Sequence, residues 1–121
     1  MKNFLFKVLL STVFLLSNLY AVDFRVATYN VENLFDLNND GTEYEEYIPD
    51  NTNWNKETLD IKLANISQVI NDLNADILAL EEIESQKALD LLLTHIPQYK
   101  YSAFVKNPQS AIGIAVISKY E

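Results

Sequence analysis

The chain contains no cysteine, only two glycines and three prolines, and a single histidine among its 121 residues. Without cysteine it has no disulfide bond, thiolate nucleophile, cysteine-ligated zinc site or cysteine-linked lipid anchor. Basic residues are also few: nine Lys and Arg stand against 17 Asp and Glu, which gives a net charge of −8. This balance repels nucleic acid unless cations intervene, so it disfavours a simple electrostatic binder of DNA or RNA. It remains compatible with a protein that meets phosphate through a metal ion.

The first 21 residues have the pattern of a secretory signal peptide. Lys2 and Lys7 make the start positive, residues 8–22 carry no charged side chain, and Leu-Tyr-Ala at 19–21 is a passable cleavage site. The alternative, an uncleaved membrane anchor, is less favoured because a spanning helix needs about 20 apolar residues. We therefore predict export to the periplasm or beyond the cell. Loss of both lysines would leave residues 22–121 with a net charge of −10.

The remainder reads as one α/β domain, because strand-like and helix-like patterns alternate along it. One apolar stripe recurs at spacings of three and four residues through Leu59, Leu63, Ile66, Ile70 and Leu73, which predicts an amphipathic helix. Asn55 and Ser85 are candidate N-caps. The patterns predict strands over 24–30, 77–82, 101–105 and 111–118, helices near 57–73 and 85–95, and a polar loop over 33–53. The apolar run at 77–83 is typical of a strand covered on both faces.

Polar side chains of metal- or phosphate-binding type end the first two predicted strands. Asn30 ends the first, and Glu81 and Glu82 end the second. Asparagine alone often marks a turn, and glutamate alone often precedes a helix. The two together, after two core strands of an α/β unit, favour a site where a carboxylate holds a hard cation and an amide fixes an oxygen. We predict that the side chains of Asn30 and Glu82 converge at one end of the sheet.

Two other candidates are weaker. Asp36, Asn38, Asp40 and Gly41 imitate a calcium-binding loop, but its twelfth position is Tyr47 instead of glutamate, so an acidic, solvated loop is the favoured interpretation. His95, the only histidine, falls near the end of the second predicted helix. A general base needs a partner and a cleft, and we expect His95 to be a surface or half-buried residue.

Three segments carry a family resemblance: FRVATYNVENLFD at 24–36, ADILALEEIE at 75–84 and AIGIAVISKY at 111–120. They resemble the endonuclease/exonuclease/phosphatase superfamily, whose metal-dependent members include pancreatic-type deoxyribonuclease, abasic-site endonucleases, inositol-polyphosphate phosphatases and neutral sphingomyelinases. The NVENLFD form looks most like the bacterial, exported nuclease-like branch. The resemblance covers nearly all of residues 24–120, and its motifs are specific as a pair.

The resemblance implies a fold and a site. The fold would be a four-layer α/β/β/α sandwich, of which residues 22–121 resemble the N-terminal half. Asn30 looks like the amide that contacts the scissile phosphate or a metal-bound water, and Glu82 looks like the magnesium-ligating glutamate. Glu81 departs from the family, because many members have glutamine there. The implied cofactor is Mg²⁺, with Mn²⁺ or Ca²⁺ as alternatives.

The implied function is metal-dependent hydrolysis of a phosphate ester, with nucleic acid among the candidate substrates. The family's general-base histidine and its partners come from later strands, so we expect the 121-residue chain alone to be inactive. Two alternatives stay open. One is a non-catalytic exported binding module, and the other is a membrane-tethered fragment with an uncleaved N-terminus. After signal cleavage no stable membrane partner is expected.

Overall fold

A computed structural model describes residues 23–49 and 52–121 of the chain. The predicted signal peptide at 1–21 lies outside these residues and stays a prediction. The order of elements is the predicted one: strand, helix, strand, helix, strand, strand. The elements are β1 (Val26–Leu34), α1 (Lys56–Leu73), β2 (Ile77–Ile83), α2 (Gln86–His95), β3 (Tyr101–Val105) and β4 (Gly113–Ser118), with a short 3-10 helix at Glu45–Tyr47.

The strands form one mixed sheet in the order β1-β2-β4-β3. The β1 and β2 strands are parallel and are joined through α1, whereas β4 runs antiparallel to both β2 and β3. Because β1 and β2 are parallel neighbours, their carboxyl ends meet at one edge of the sheet. The predicted α/β class is confirmed as a small domain with a four-stranded mixed sheet and two helices.

The predicted bounds of the first strand were wrong. The strand begins at Val26 and does not stop at Asn30 but continues to Leu34. It does so through an irregular segment in which Glu32 and Asn33 adopt positive φ angles of 58° and 67°. Residues 33 and 34, predicted as the start of a loop, therefore belong to β1.

The start of β4 also differs from the prediction: the strand begins at Gly113 and not at residue 111. A Cβ atom at Gly113 would lie 2.4 Å from the carbonyl oxygen of Val105. Only glycine fits this close approach of β4 to the end of β3 without a shift of the backbone.

The hydrophobic core lies on one face of the sheet. Leu78 and Leu80 of β2 and Ile117 of β4 are fully buried there. Both helices contribute to the same core cluster, which holds Leu59, Leu63, Ile66 and Ile70 of α1 and Ala88, Leu89 and Leu92 of α2. The α1 stripe predicted from sequence thus faces the sheet, except that Leu73 is exposed.

The opposite face of the sheet is exposed, although the apolar run of β2 is typical of a strand covered on both faces. The register aligns three rows of residues across this face in the strand order β1, β2, β4 and β3. Val105 at the edge is 68% exposed and Ile114 beside it 52% exposed. The rows are Val26–Ile77–Ser118–Tyr101, Thr28–Ala79–Val116–Ala103 and Asn30–Glu81–Ile114–Val105. We call this surface the open sheet face; Glu81 is its only charged member.

Both helices begin at the predicted caps. The Asn55 side chain accepts hydrogen bonds from the backbone N–H groups of Glu57 and Thr58, and the Thr58 side chain accepts one from the Asn55 backbone N–H, which completes a capping box. Ser85 caps α2 by accepting from the N–H of Ala88. Neither helix of the described segments has the length and apolar character needed to cross a bilayer.

Candidate functional site

A β-bulge in β2 gives Glu82 its orientation. Glu81 pairs with Ile114 of β4, but the next pair is Ile83 with Gly113, so Glu82 is the additional residue. Its φ angle of +66° is left-handed, a conformation that costs about 1–3 kcal/mol for a residue other than glycine. The bulge allows Leu80 and Ile83 both to remain in the core while Glu82 stays half exposed.

The side chains of Asn30 and Glu82 meet where β1 and β2 approach their ends. Nδ2 of Asn30 donates a hydrogen bond of 2.7 Å to Oε1 of Glu82. Oδ1 of Asn30 accepts a second bond, also 2.7 Å, from the backbone N–H of Glu32. Because a backbone N–H donates only to the oxygen, this second bond sets which end of the amide faces Glu82. The predicted proximity of the two side chains is present; the ligands they bind stay a prediction.

The irregular segment of β1 is fastened to α1. Lys62 of α1 donates a 2.7 Å hydrogen bond from Nζ to the backbone carbonyl of Glu32. The backbone N–H of Glu32 also donates to the side-chain oxygen of Asn30. Lys62 therefore stabilises the backbone that orients Asn30, and it places a positive charge beside a segment rich in carboxylates.

Tyr47 of the 3-10 helix borders the same segment. Its ring stacks on Phe35 at a centroid distance of 4.3 Å and meets Trp54 edge-on at 5.0 Å. Burial raises the pKa of Tyr47, the carboxylates of Glu46, Glu32 and Glu82 raise it further, and a side-chain hydrogen bond with Asn33 lowers it. The hydroxyl group thus stays protonated at neutral pH and remains a neutral hydrogen-bond donor.

The donor set at this edge suits a hard divalent cation. Oε1 of Glu82 accepts the Asn30 bond, whereas its Oε2 accepts no hydrogen bond from the described residues. Glu81 is the register partner of Asn30 and is exposed. Mg²⁺ prefers such carboxylate oxygens and takes only one or two of them while keeping several waters. An anion without a cation would be repelled by these carboxylates.

A second group of carboxylates comes from the loop after β1 and from the residue that follows β2. One oxygen from each of Asp40, Glu43 and Glu84 falls within 4.8 Å of the others. The ammonium of Lys106 lies 3.6 Å from Oε1 of Glu84 and 3.8 Å from Oδ2 of Asp40. Burial raises the pKa of Glu84, whereas the hydrogen bond from the Thr42 side chain is the main cause that lowers the pKa of Asp40. Lys106 already supplies a cation to this cluster.

The expectation of a solvated acidic loop was wrong at Asp36, which is only 4% exposed. Its carboxylate accepts hydrogen bonds from the Asn38 backbone and side chain and from Oγ of Ser85. Its backbone carbonyl accepts a bond of 3.0 Å from Nε1 of Trp54. These contacts tie the loop after β1 to the starts of both helices, so Asp36 supports the site as part of the framework.

Three further outcomes concern residues outside the Asn30–Glu82 pair. His95 is exposed at the end of α2, as expected. Tyr47 and Lys62 were missed from sequence, because their relation to the site depends on contacts between distant parts of the chain that no local motif signals. Glu84, which follows β2, is 2% exposed and lies 3.6 Å from the ammonium of Lys106, so it is a buried, ion-paired residue.

The comparisons with known proteins agree with this arrangement at the level of family. A model of the endonuclease/exonuclease/phosphatase family matches residues 25–121, which include β1, β2 and the Asn30–Glu82 pair. No curated protein and no solved structure matches the chain. Because the match extends over most of the sequence, the chain belongs to the endonuclease/exonuclease/phosphatase family.

Proposed function

We propose that Asn30 and Glu82 form part of the divalent-metal site of a nuclease-like phosphoesterase. The observation that carries this proposal is the 2.7 Å hydrogen bond between them, at the point where the regular pairing of β1 with β2 ends. Family membership supplies the reaction class, which is phosphate-ester hydrolysis. The substrate is a phosphate ester, with DNA, RNA, an inositol phosphate or a lipid head group as the candidates.

Each of the two residues has a separate task in this proposal. Glu82 offers Oε2 to the cation, while Asn30 holds Oε1 and so fixes the plane of the carboxylate. The left-handed backbone at Glu82 keeps this side chain out of the core, toward solvent. A bound Mg²⁺, or Mn²⁺ or Ca²⁺ in its place, would offset the negative charge of the phosphate and lower the pKa of a bound water.

Metal binding by the purified 121-residue chain tests the proposal directly. The fraction of free Mn²⁺, followed by electron paramagnetic resonance, should fall on addition of the protein. Glu82→Gln keeps the shape of the side chain but removes its charge, and we expect it to weaken binding at least tenfold, roughly the loss of one charged ligand interaction. Glu57→Gln, on the exposed first turn of α1, is the matched control. Equal affinity in both variants would place the metal elsewhere.

The open sheet face supports the proposal of a four-layer sandwich. A sheet face with one charged residue among twelve resembles the inner face of a packed pair of sheets, which lie about 10 Å apart in such folds. In this proposal a second sheet covers the open sheet face, and its loops complete the site beside Asn30 and Glu81. The helices already form the outer layer on the other side.

We further propose that the 121-residue chain does not hydrolyse phosphate esters on its own. Its one histidine, His95, ends α2, so the ten residues of this helix, roughly 15 Å in length, separate it from the end of β2. A positioned base typically contributes about a hundred- to ten-thousand-fold to the rate. Incubation with DNA, RNA and p-nitrophenyl phosphate in Mg²⁺ or Mn²⁺ should give no turnover. Turnover that Glu82→Gln abolishes would overturn this proposal.

The open sheet face also favours a second candidate function, a non-catalytic exported binding module that takes a partner on that surface. Export itself remains a proposal. The N-terminal residue of the protein after expression in a bacterial host tests it: a start at Val22 indicates cleavage, whereas a start at Met1 in the membrane fraction would favour the tethered alternative.

A further inference from the structure

A groove of about 220 Å³ lies between the outer sides of α1 and α2. Leu59 and Leu63, one turn apart on α1, form its buried floor, and Leu91 of α2 and Leu37 of the loop after β1 form its half-buried walls. A dry cavity of about 150 Å³ with this kind of lining accommodates a benzene molecule. The groove is therefore large enough for an apolar group of about six carbon atoms.

The rim of the groove is charged and has an excess of positive charge. Lys56 and Asp60 of α1 stand on one side and pair with each other at 2.7 Å. Lys87 of α2 stands on the other side and takes part in none of the salt bridges among the described residues. The carboxylate nearest to it on its own helix, Asp90, accepts a hydrogen bond from Gln86. The unpaired ammonium of Lys87 is thus available to a ligand.

We propose that this groove binds a small amphiphilic anion, with its apolar tail among the four leucines and its carboxylate or phosphate head at Lys87. The positive rim contrasts with the net charge of −8 of the whole chain, so an anion meets attraction here and repulsion over most of the surface. A cationic head would meet Lys56 and Lys87 unfavourably. No groove residue belongs to the Asn30–Glu82 pair, so this site is separate from the proposed metal site.

Saturation-transfer NMR with the full 121-residue chain tests the proposal. Sodium hexanoate and hexyl phosphate, each in the presence of EDTA, should both receive saturation from the protein, with a dissociation constant on the order of 1 mM for ligands of this size. Hexylamine, which has the same tail and the opposite charge, should bind at least threefold more weakly. The tighter of the two anions identifies the head group as carboxylate or phosphate. Binding that EDTA abolishes would overturn the proposal, because it would belong to the metal site.

Two pairs of variants locate the ligand. Lys87→Gln should weaken hexanoate binding about threefold, as for an exposed charge, and Lys100→Gln, an exposed lysine outside the groove, should not. Leu91→Phe should fill the groove and abolish binding, whereas Ile61→Phe, on the exposed side of α1, should not. Circular dichroism checks that each variant is folded. If Leu91→Phe is unfolded, the result for the surface variant Lys87→Gln decides the test. Equal binding by Lys87→Gln and wild type, or by hexylamine and hexanoate, would refute the proposal.

Discussion

The Asn30 amide is held at both its ends, and this double attachment gives the site its rigidity. Its oxygen accepts from a backbone N–H and its nitrogen donates to Glu82. The two backbone segments involved contain left-handed residues, Glu32 and Asn33 in β1 and Glu82 in β2. Strain of this kind persists only where surrounding contacts enforce it. Here the hydrogen bond from Lys62 holds the segment at Glu32, and the buried side chain of Ile83 holds the segment at Glu82.

Tyr99 allows a pH-dependent test of the core at the scale of one residue. Its hydroxyl donates a buried 2.7 Å hydrogen bond to the carbonyl of Ala75, and burial, followed by the charge of Asp76, raises its pKa. The unfolded chain ionises this group near pH 10 while the folded state keeps it protonated. The stability that Tyr99 contributes is therefore complete below pH 10 and is lost as the pH rises above it.

Tyr99→Phe should lower the free energy of unfolding by about 1–2 kcal/mol at pH 7, because the Ala75 carbonyl loses its buried donor. The variant should also lose less stability than wild type between pH 9 and pH 11, roughly, since one raised phenol pKa is absent. Urea denaturation at a series of pH values measures both effects. Tyr120→Phe, at a residue 60% exposed, is the control and should change neither quantity; parallel pH curves for wild type and Tyr99→Phe would contradict the prediction.

At the scale of elements, the spacing of apolar and capping residues predicted the helices and strands whose bounds depend on neighbouring positions in the chain. The bounds of β3 agree with the prediction, and those of α1 and α2 differ from it by one residue. Apolar spacing and capping residues carry this information because both act within a few positions of the chain. The approach of Asn30 to the end of β2 could also be anticipated, since it depends on two parallel neighbouring strands; that the amide meets Glu82 and not its register partner Glu81 depends on the bulge.

The features that sequence did not predict depend on distant contacts. The continuation of β1 to Leu34 requires Glu32 and Asn33 to adopt left-handed backbone, and a glutamate gives no signal of that. The bulge at Glu82 depends on its register with β4. The burial of Glu84 depends on Lys106, 22 positions later. In each case a partner remote in sequence decides the local conformation.

The capping box of α1 gives the test at this scale. Asn55→Ala removes the acceptor for the N–H groups of Glu57 and Thr58 and should lower the free energy of unfolding by about 1 kcal/mol. Asn65→Ala, at an exposed position inside the same helix, should instead raise it by a few tenths of a kcal/mol, about the difference in helix propensity. Thermal unfolding followed by circular dichroism compares the two. Equal and small changes would show that tertiary packing alone maintains this helix end.

At the scale of the whole molecule, the two sides of the sheet differ in their contact with water. The helix side buries a continuous core, whereas the open sheet face presents Val26, Val105, Ile114, Val116 and Tyr101 to solvent. An apolar patch larger than a few hundred Å² is unusual on a monomer, and among the described residues β1 and β3 are the edge strands of the sheet. The net charge of −8 opposes association, but the open sheet face carries little of that charge.

We therefore expect residues 22–121, expressed alone, to self-associate through the open sheet face. Val105→Lys places a charge at a residue that is 68% exposed on an edge strand, where lysine blocks edge pairing. Since burial of a valine contributes about 1.5 kcal/mol, the substitution should weaken association about tenfold with little loss of stability. Sedimentation velocity over a range of concentrations measures the effect. Val69→Lys, at a residue of α1 that is 38% exposed, is the control and should leave association unchanged.

The opposite result would change the view of the molecule. If the wild-type chain sediments as a monomer at all concentrations and unfolds in one sharp cooperative transition, the open sheet face tolerates water without a cover. The domain would then be self-sufficient, and a binding module that takes its partner on this face would be favoured over part of a hydrolase. Association that Val105→Lys disrupts and Val69→Lys does not would instead locate the uncovered surface on the side of the sheet that carries Asn30 and Glu81, where a second sheet is proposed to complete the site.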